Sequence, residues 1–382
     1  MSEESQIDEE KKIPVNIITG FLGSGKTTLL NHWVNSPEFK DTLVLINEFG
    51  DVGLDHELVE SVDSSVVLLS SGCICCSLQG ELVKSLVTNY IKAKRGDLPS
   101  FRRVIIETTG LADPAGVIAT LNNDEFLLEH YYHDGTVTVL DGMFVREQLK
   151  KQYEAVKQIA LADLVIISKT DLIEAGEIEA IYDITAEINP AAKVFPVVKG
   201  KITPKILFDI GPYKNDHDSY NKRVSAWLKT KSQVRNIASS FRPASVNGAI
   251  GISKPKIIAH SDIDSFSLEF NEPIEPLALL AAISDVQEQY GDSILRIKGI
   301  LNLKGQDKPI VIHGVQGNLY PLSELHEWPN TERKSQLVII CRKSVLEQIE
   351  LMLNRVINNP DEASLSYYQQ MIDDIERSDE DY

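Results

Sequence analysis

A single octapeptide limits what this chain can fold into. Gly20-Phe21-Leu22-Gly23-Ser24-Gly25-Lys26-Thr27 fits the pattern G-x-x-x-x-G-K-T, and it lies between the apolar run 13–18 and the helix-compatible stretch Thr28-Leu29-Leu30-Asn31-His32-Trp33. A buried strand, a tight glycine-rich turn and a helix N-terminus are the setting this pattern needs. The glycines let backbone N–H groups point at phosphate oxygens, and the helix dipole adds to the attraction. Lys26 then reaches the β- and γ-phosphates and the Thr27 hydroxyl holds Mg²⁺, while Gly20, Gly23, Ser24, Gly25 and Thr28 complete the cradle. A structural glycine turn with an incidental lysine would not need both flanks. The octapeptide therefore predicts a nucleotide triphosphatase.

A second constraint follows the apolar run 66–69. In Ser71-Gly72-Cys73-Ile74-Cys75-Cys76, three of the chain's four cysteines fall within four residues. Thiolates are soft ligands suited to Zn²⁺, Cu(I) or an iron–sulfur centre. In an extended segment Cys73 and Cys75 face one way and Cys76 the other, so ligation by all three requires a turn. Two plainer readings stand beside metal binding: small thiols filling the end of a buried strand, and a local redox pair.

At 382 residues the chain has room for two domains with a core in each. Hydrophobic residues at 43% and charged residues at 25% describe an ordinary globular composition, and the formal net charge of −18 argues against direct nucleic-acid binding. Four cysteines in a chain of this size make no disulfide framework, residues 1–10 are acidic where a secretory signal would be basic and then apolar, and no apolar run has the length of a membrane span. The expected compartment is the cytoplasm, with no membrane partner.

In order, residues 1–12 read as an acidic solvated tail. A helix is expected from Gly25 to about Asn35. The strand 42–46 delivers the loop 47–55, whose three acidic groups, Glu48, Asp51 and Asp55, can hold Mg²⁺, orient a water or bind a second metal; Glu48 is the favoured ligand, against a plain solvated loop. A helix spans about 78–92. The strand 104–106 then ends in Glu107-Thr108-Thr109-Gly110, where Glu107 would position water around Mg²⁺ and the Gly110 amide would contact a γ-phosphate. Asp113-Pro114 starts a helix with an acidic cap and proline at its first position. His130 and His133 precede a strand at 134–140 and read as surface or hydrogen-bonded residues. One helix is expected over 147–162, then a strand over 163–167 and Ser168-Lys169-Thr170-Asp171. Asp171 can accept from guanine N1–H and its exocyclic amine, and the Lys169 stem can pack over the base, which favours GTP over ATP. A helix over 175–188, a strand over 193–198 and a helix over 201–210 follow. Alternating strands and helices predict a mostly parallel sheet covered on both faces.

The expected divisions are the tail 1–12, a P-loop domain 13–210, a peripheral segment 211–256, a small α/β (α+β) domain 257–360 and an acidic tail 361–382. In the second domain the order β, α, β, β, β, α suggests a sandwich around an antiparallel sheet. Cys341 reads as a buried small residue, and His313 as structural in preference to a weak ligand.

Taken together, the segments 20–27, 47–55, 72–76, 107–110 and 168–171 resemble the CobW-like metal-associated GTPases, relatives of the UreG and HypB nickel-insertion GTPases. The segments 296–299, 313–316 and 333–342 look like weaker marks of that family's C-terminal domain. The resemblance implies that Lys26 and Thr27 handle phosphate and Mg²⁺ and that Lys169 and Asp171 recognise guanine. It also implies that Cys73, Cys75 and Cys76, with Glu48 nearby, bind a transition metal, Zn²⁺ first and Co²⁺ or Ni²⁺ as alternatives. One departure is Ser168, where the family's guanine motif usually starts with Asn. The implied activity is GTP hydrolysis coupled to delivery of metal to a client metalloprotein, with homo-oligomerisation left open. A zinc reservoir or sensor holding nucleotide as a structural ligand, and a P-loop small-molecule kinase, are the alternatives.

Overall fold

A computed structural model describes residues 12–47, 66–69, 77–110, 112–208, 210, 262–325, 327–329, 332–362 and 365–370. The first part alternates strands and helices. Its strands are β1 (Ile13–Thr19), β2 (Thr42–Asn47), β3 (Val66–Leu69), β4 (Arg103–Glu107), β5 (Tyr131–Asp141), β6 (Leu164–Ser168) and β7 (Lys193–Pro196). The helices between them are α1 (Lys26–Val34), α2 (Ser77–Arg95), α3 (Pro114–Asn123), α4 (Glu125–His130), α5 (Val145–Lys151), α6 (Tyr153–Leu161) and α7 (Ala175–Ile188). The strands form one seven-stranded sheet in the order β3-β2-β4-β1-β5-β6-β7, and every pairing in it is parallel.

Alternation along each strand explains how both faces are buried. Val15, Ile17, Leu43, Leu45, Val104 and Ile106 point to one side, where they meet Leu82 and Leu86 of α2 and Ile118 and Leu121 of α3. Ile18, Val44 and Ile105 point to the other and meet Leu29, Leu30 and Trp33 of α1. Such strands read as continuous apolar runs because helices cover both sides.

The second part holds β8 (Ile263–Phe270), α8 (Pro276–Tyr290), β9 (Ile294–Leu301), β10 (Ile310–Val315), β11 (Asn318–Leu319), β12 (Ser323–Glu324), β13 (Ser335–Arg342) and α9 (Leu346–Asn358). Its antiparallel sheet runs β11-β10-β9-β13-β8, with β12 also on β10. One face carries α8 and α9; Ile349, Leu353, Val356 and Ile357 recur at helical spacing and enter that core. On the other face Leu295 and Ile340 join the core built by α5, α6 and α7, while Val315 and Tyr320 join the core beside α2 and α3. The two sheets are therefore welded by shared apolar surface.

A buried ionic cluster lies in the same contact. Arg296 donates to the carbonyls of Leu161 and Ala162 and to Asp163 Oδ1, and Lys298 Nζ lies 3.0 Å from that oxygen. The Thr136 amide donates to Asp163 Oδ2 at 3.0 Å. Burial opposes the Asp163 charge, but Arg296 and Lys298 outweigh it and hold the carboxyl well below the usual carboxylate range. Two histidines line this cluster, His133 from β5 and His313 from β10, with ring centroids 6.4 Å apart; His313 also stacks on Tyr320 at 4.3 Å.

Three local expectations are corrected. The helix expected over 147–162 is two helices, α5 and α6, because Gln152 is extended (φ −125°, ψ 111°) and turns the chain between them. No glycine or proline marks that break, and packing overrides propensity. The helix expected over 201–210 is only a 3₁₀ turn, Pro204–Leu207, capped by Thr203 and anchored by buried Leu207. The strand expected from 134 begins at Tyr131, so His133 lies inside β5, beside a register shift at Gly135 (φ 131°).

Candidate nucleotide and metal site

All strands of a parallel sheet finish at one edge, and here that edge carries the glycine-rich loop. β1 ends at Thr19, and Gly20 (φ 142°) turns so closely against the Val139 carbonyl that a Cβ there would overlap it. Gly25 (φ 95°, ψ 21°) opens α1 with no side-chain cap, and the first turn of α1 carries no acidic residue. Its first-turn amides thus have no acidic side chain of their own helix competing for them, the donor set an anion needs. Lys26 is 8% exposed and its Nζ donates to the Gly20 carbonyl at 2.8 Å, closing the loop on itself. Burial pushes its pKa down, and the Glu107 charge works in the opposite direction. Thr27 is half-buried at the second position of α1, and Thr28 is exposed. Ser24 is fully buried, with Ser24 N donating to the Phe21 carbonyl at 3.1 Å.

Glu107 ends β4 directly between Ile18 of β1 and Ile46 of β2, and it is buried. The Thr108 hydroxyl donates to Thr19 Oγ1 at 2.9 Å, locking this strand end to the base of the loop. Gly110 packs against the loop from the other side; a Cβ there would lie 2.5 Å from the Leu22 amide nitrogen. The Gly110 carbonyl accepts from Gln158 Nε2 of α6 at 3.3 Å, and the Ala112 carbonyl from the same nitrogen at 3.4 Å.

At the end of β6, Ser168 is buried and its single hydroxyl proton serves two acceptors, the Ser24 carbonyl at 2.6 Å and the Leu140 carbonyl at 3.0 Å. Where an asparagine would use an amide, this chain ties the loop to the sheet with a hydroxyl. Lys169 is in the left-handed region (φ 55°) and its Nζ lies 2.7 Å from Asp141 Oδ2, which fixes the stem across the mouth of the site. Asp171 is exposed beside it, in the turn Thr170–Leu172. Lys26, Thr27, Glu107, Gly110, Lys169 and Asp171 all lie at this one edge of the sheet.

The metal-directed residues Glu48, Cys73, Cys75 and Cys76 lie outside the described residues. Among those described, no group of three or more His, Cys, Asp or Glu side chains is arranged to hold a metal. The backbone still fixes where their segments start. β2 and β3 pair in parallel with Asn47 opposite Leu69, so both strands end side by side at the P-loop edge. Cys341 is a buried free thiol whose pKa burial pushes up to about 12, far from this edge chemistry. A cleft of about 1520 Å³ opens at the opposite ends of the strands, among Lys12, Arg102, Tyr132 and His313, and shares no residue with the phosphate loop.

Sequence reasoning missed Gln158, Ser168's double role, Asp141 and Gln316. Only Gln158 carried a signal, as a polar residue among Ala155, Val156, Ile159 and Ala160 on the buried face of α6.

Residues 14–196 match the family described as CobW/HypB/UreG, nucleotide-binding domain, and residues 263–357 match the cobalamin synthesis protein CobW C-terminal domain. The zinc chaperone YjiA of Escherichia coli K12 is 30% identical over 328 residues, covering 86% of this chain and 93% of the relative. The zinc chaperone CobW of a Sinorhizobium species is 26% identical over 358 residues, covering 86% and 92%. The crystal structure of Zn(II)-bound YjiA GTPase from E. coli superposes with a TM-score of 0.66 at 25% identity, covering 91% of this chain and 99% of that one. No helix among the described residues is long and apolar enough to cross a membrane.

Proposed function

The chain belongs to the CobW/HypB/UreG family of P-loop GTPases, and from that membership we propose that it hydrolyses GTP to GDP and phosphate and uses the cycle to hold and hand on a transition metal. The relatives named above are zinc chaperones, so Zn²⁺ is the first choice of metal, with Co²⁺ or Ni²⁺ as alternatives, and a client metalloprotein in the cytoplasm is the recipient.

The observation that carries this reading is the parallel order β3-β2-β4-β1. β2 and β3 end side by side at the edge where β1 delivers the phosphate loop. Glu48 follows β2 directly in sequence, and Cys73, Cys75 and Cys76 follow β3 within a few residues, so a ligand set drawn from them would couple to the nucleotide edge and let nucleotide state gate metal affinity.

Each residue's part in hydrolysis follows from its position. Lys26 releases the Gly20 carbonyl and pairs with the β- and γ-phosphates, with the amides of Gly23, Gly25 and the first turn of α1 around them. Glu107 orients water beside the Thr27 hydroxyl, and the Gly110 amide approaches the γ-phosphate. Asp171 accepts from the guanine edge, while Lys169, steadied by Asp141, lies along the base. Thr27 would hold Mg²⁺, which would supply neutralisation of the charge that develops on the phosphates.

The test is Zn²⁺ affinity measured against a chromophoric chelator, with Mg²⁺ and either a nonhydrolysable GTP analogue or GDP, repeated in Cys75→Ala. Tighter binding with the analogue, lost in the variant, is expected. Equal affinities in the two nucleotide states would detach the thiolates from the switch and leave a zinc reservoir. Phosphate appearing on a small molecule instead of in solution would mean a kinase.

A further inference from the structure

The turn between β10 and β11 contains a residue its backbone does not favour. Gln316 (φ 47°) and Gly317 (φ 72°) both have positive φ, as the two central residues of a tight mirror-image hairpin turn do. Asn or Gly is the preferred first residue in such a turn, because a longer side chain meets steric resistance in the left-handed region. Glutamine there costs conformational energy without improving the hairpin. The turn is braced all the same: Gln316 N donates to the Leu295 carbonyl at 3.1 Å, and Gln287 Nε2 donates to the Gly317 carbonyl at 2.6 Å.

What the extra methylene of glutamine provides is reach. Gln316 Nε2 donates to Asp113 Oδ2 at 2.6 Å, crossing from the C-terminal sheet into the nucleotide-binding domain. Asp113 is the N-cap of α3, its other oxygen accepting from the Ala115 amide at 3.0 Å, and it lies three residues beyond Gly110. Lys157 of α6 lies 3.0 Å from the same Oδ2, and the next residue, Gln158, holds the carbonyls of Gly110 and Ala112. The far end of α6 is itself held by the C-terminal domain, where Arg296 takes the Leu161 and Ala162 carbonyls. At its near end Arg342 lies over the Tyr153 ring, 5.1 Å from its centroid. Gly110, Ala112 and Asp113 are thus clamped by one direct contact and one helix, both answering to the C-terminal domain.

We propose that Gln316 is a positioning residue for GTP hydrolysis: the C-terminal domain presents its carboxamide to Asp113 and thereby sets Gly110 against the phosphate loop, completing the hydrolytic site from within the same chain. The inference rests on the reading above that Gly110 meets the γ-phosphate. It deepens that reading by giving the C-terminal domain a part in catalysis that none of the phosphate-binding residues performs. Gln316 touches neither nucleotide nor water; it acts through Asp113.

Two substitutions in the full chain separate positioning from folding. Gln316→Asn installs the residue the turn prefers while withdrawing the amide by one methylene, and Gln316→Met keeps the length and removes the donor. Both are expected to lower kcat about tenfold, the effect of losing roughly one charge-assisted hydrogen bond from the transition-state arrangement. GDP affinity, read with a fluorescent analogue, should stay within about twofold, and the melting temperature of Gln316→Asn should stay close to that of the parent, because relief of the turn offsets the lost hydrogen bond. An unchanged kcat in both variants would reduce Gln316 to a hairpin residue and overturn the proposal. So would a kcat that falls only in step with GDP affinity and melting temperature. A parent chain that releases no phosphate from Mg²⁺·GTP would instead overturn the GTPase reading itself and take this inference with it.

Discussion

Acidification from about pH 7.5 to about pH 5 is expected to loosen the contact between the two domains, because His133 and His313 are buried there in their neutral forms. Burial first, and then the Arg296 and Lys298 charges, push the His133 pKa down from 6.5 to about 4, against the pull of Asp163; burial and Arg296 push His313 the same way. In the unfolded chain both rings protonate near 6.5. Between those limits the unfolded state binds more protons than the folded one, so stability is full above pH 6.5 and falls as the pH drops towards 4. At about pH 5 an unfolded histidine is some thirtyfold more protonated than deprotonated, which is worth about 2 kcal/mol for His133, whose folded-state value is about 4. His313, pushed down by burial and by Arg296, adds to that loss in the same direction. Asp163 does not contribute in this window, because its carboxyl is held well below the usual range and protonates only at more acid pH. The assay is urea unfolding at both pH values in the parent, in His133→Gln and in His313→Gln. The loss of stability between the two pH values should shrink by about 2 kcal/mol in His133→Gln and shrink in His313→Gln as well. An identical pH dependence in parent and variants would refute the burial argument, since the remaining histidines are common to all three chains.

Two further outcomes follow from the nucleotide edge. Lys26→Ala should lower the kcat for GTP hydrolysis by about 10²–10³-fold, as expected when a donor to developing phosphate charge is removed, and phosphate release under saturating GTP measures it. Asp171→Asn exchanges one acceptor for a donor, which no longer matches the two guanine donors but matches the xanthine N1–H and O2 pair; competition binding should show GDP losing affinity and xanthosine diphosphate gaining it.

Much of this was legible before any coordinates. The stretches 43–46, 104–106 and 164–167 are apolar on both alternating faces, and 13–18 nearly so with Asn16 as its one polar member; that pattern belongs to parallel strands under helices. Gly20 and Gly25 announced a turn that only glycine fits, and the structure gives each a positive φ. What stayed hidden depends on long-range contacts. Gln152 breaks a helix without a breaker residue, because the break is set by what α5 and α6 pack against. His133 and His313 are 180 positions apart and read as isolated polar residues; only the pairing of the sheets brings their rings together around Asp163. Gln316 ends the segment 313–316 that resembles the family's C-terminal domain, but its role shows only once its φ and its partner are known.

The Asp163 cluster also bears on how the chain comes off the ribosome. Asp163 is synthesised 133 residues before Arg296, an interval of roughly 7–27 s at about 5–20 residues per second. During that time the nucleotide-binding half exists without the cations that its buried carboxylate needs, and with the apolar surface that Leu295, Ile340, Val315 and Tyr320 later cover still open to water. The nascent protein therefore passes through a period in which its first domain has the topology of the finished one but not its closure. Its yield in a cell should depend on holdase chaperones, or on translation fast enough to shorten that wait.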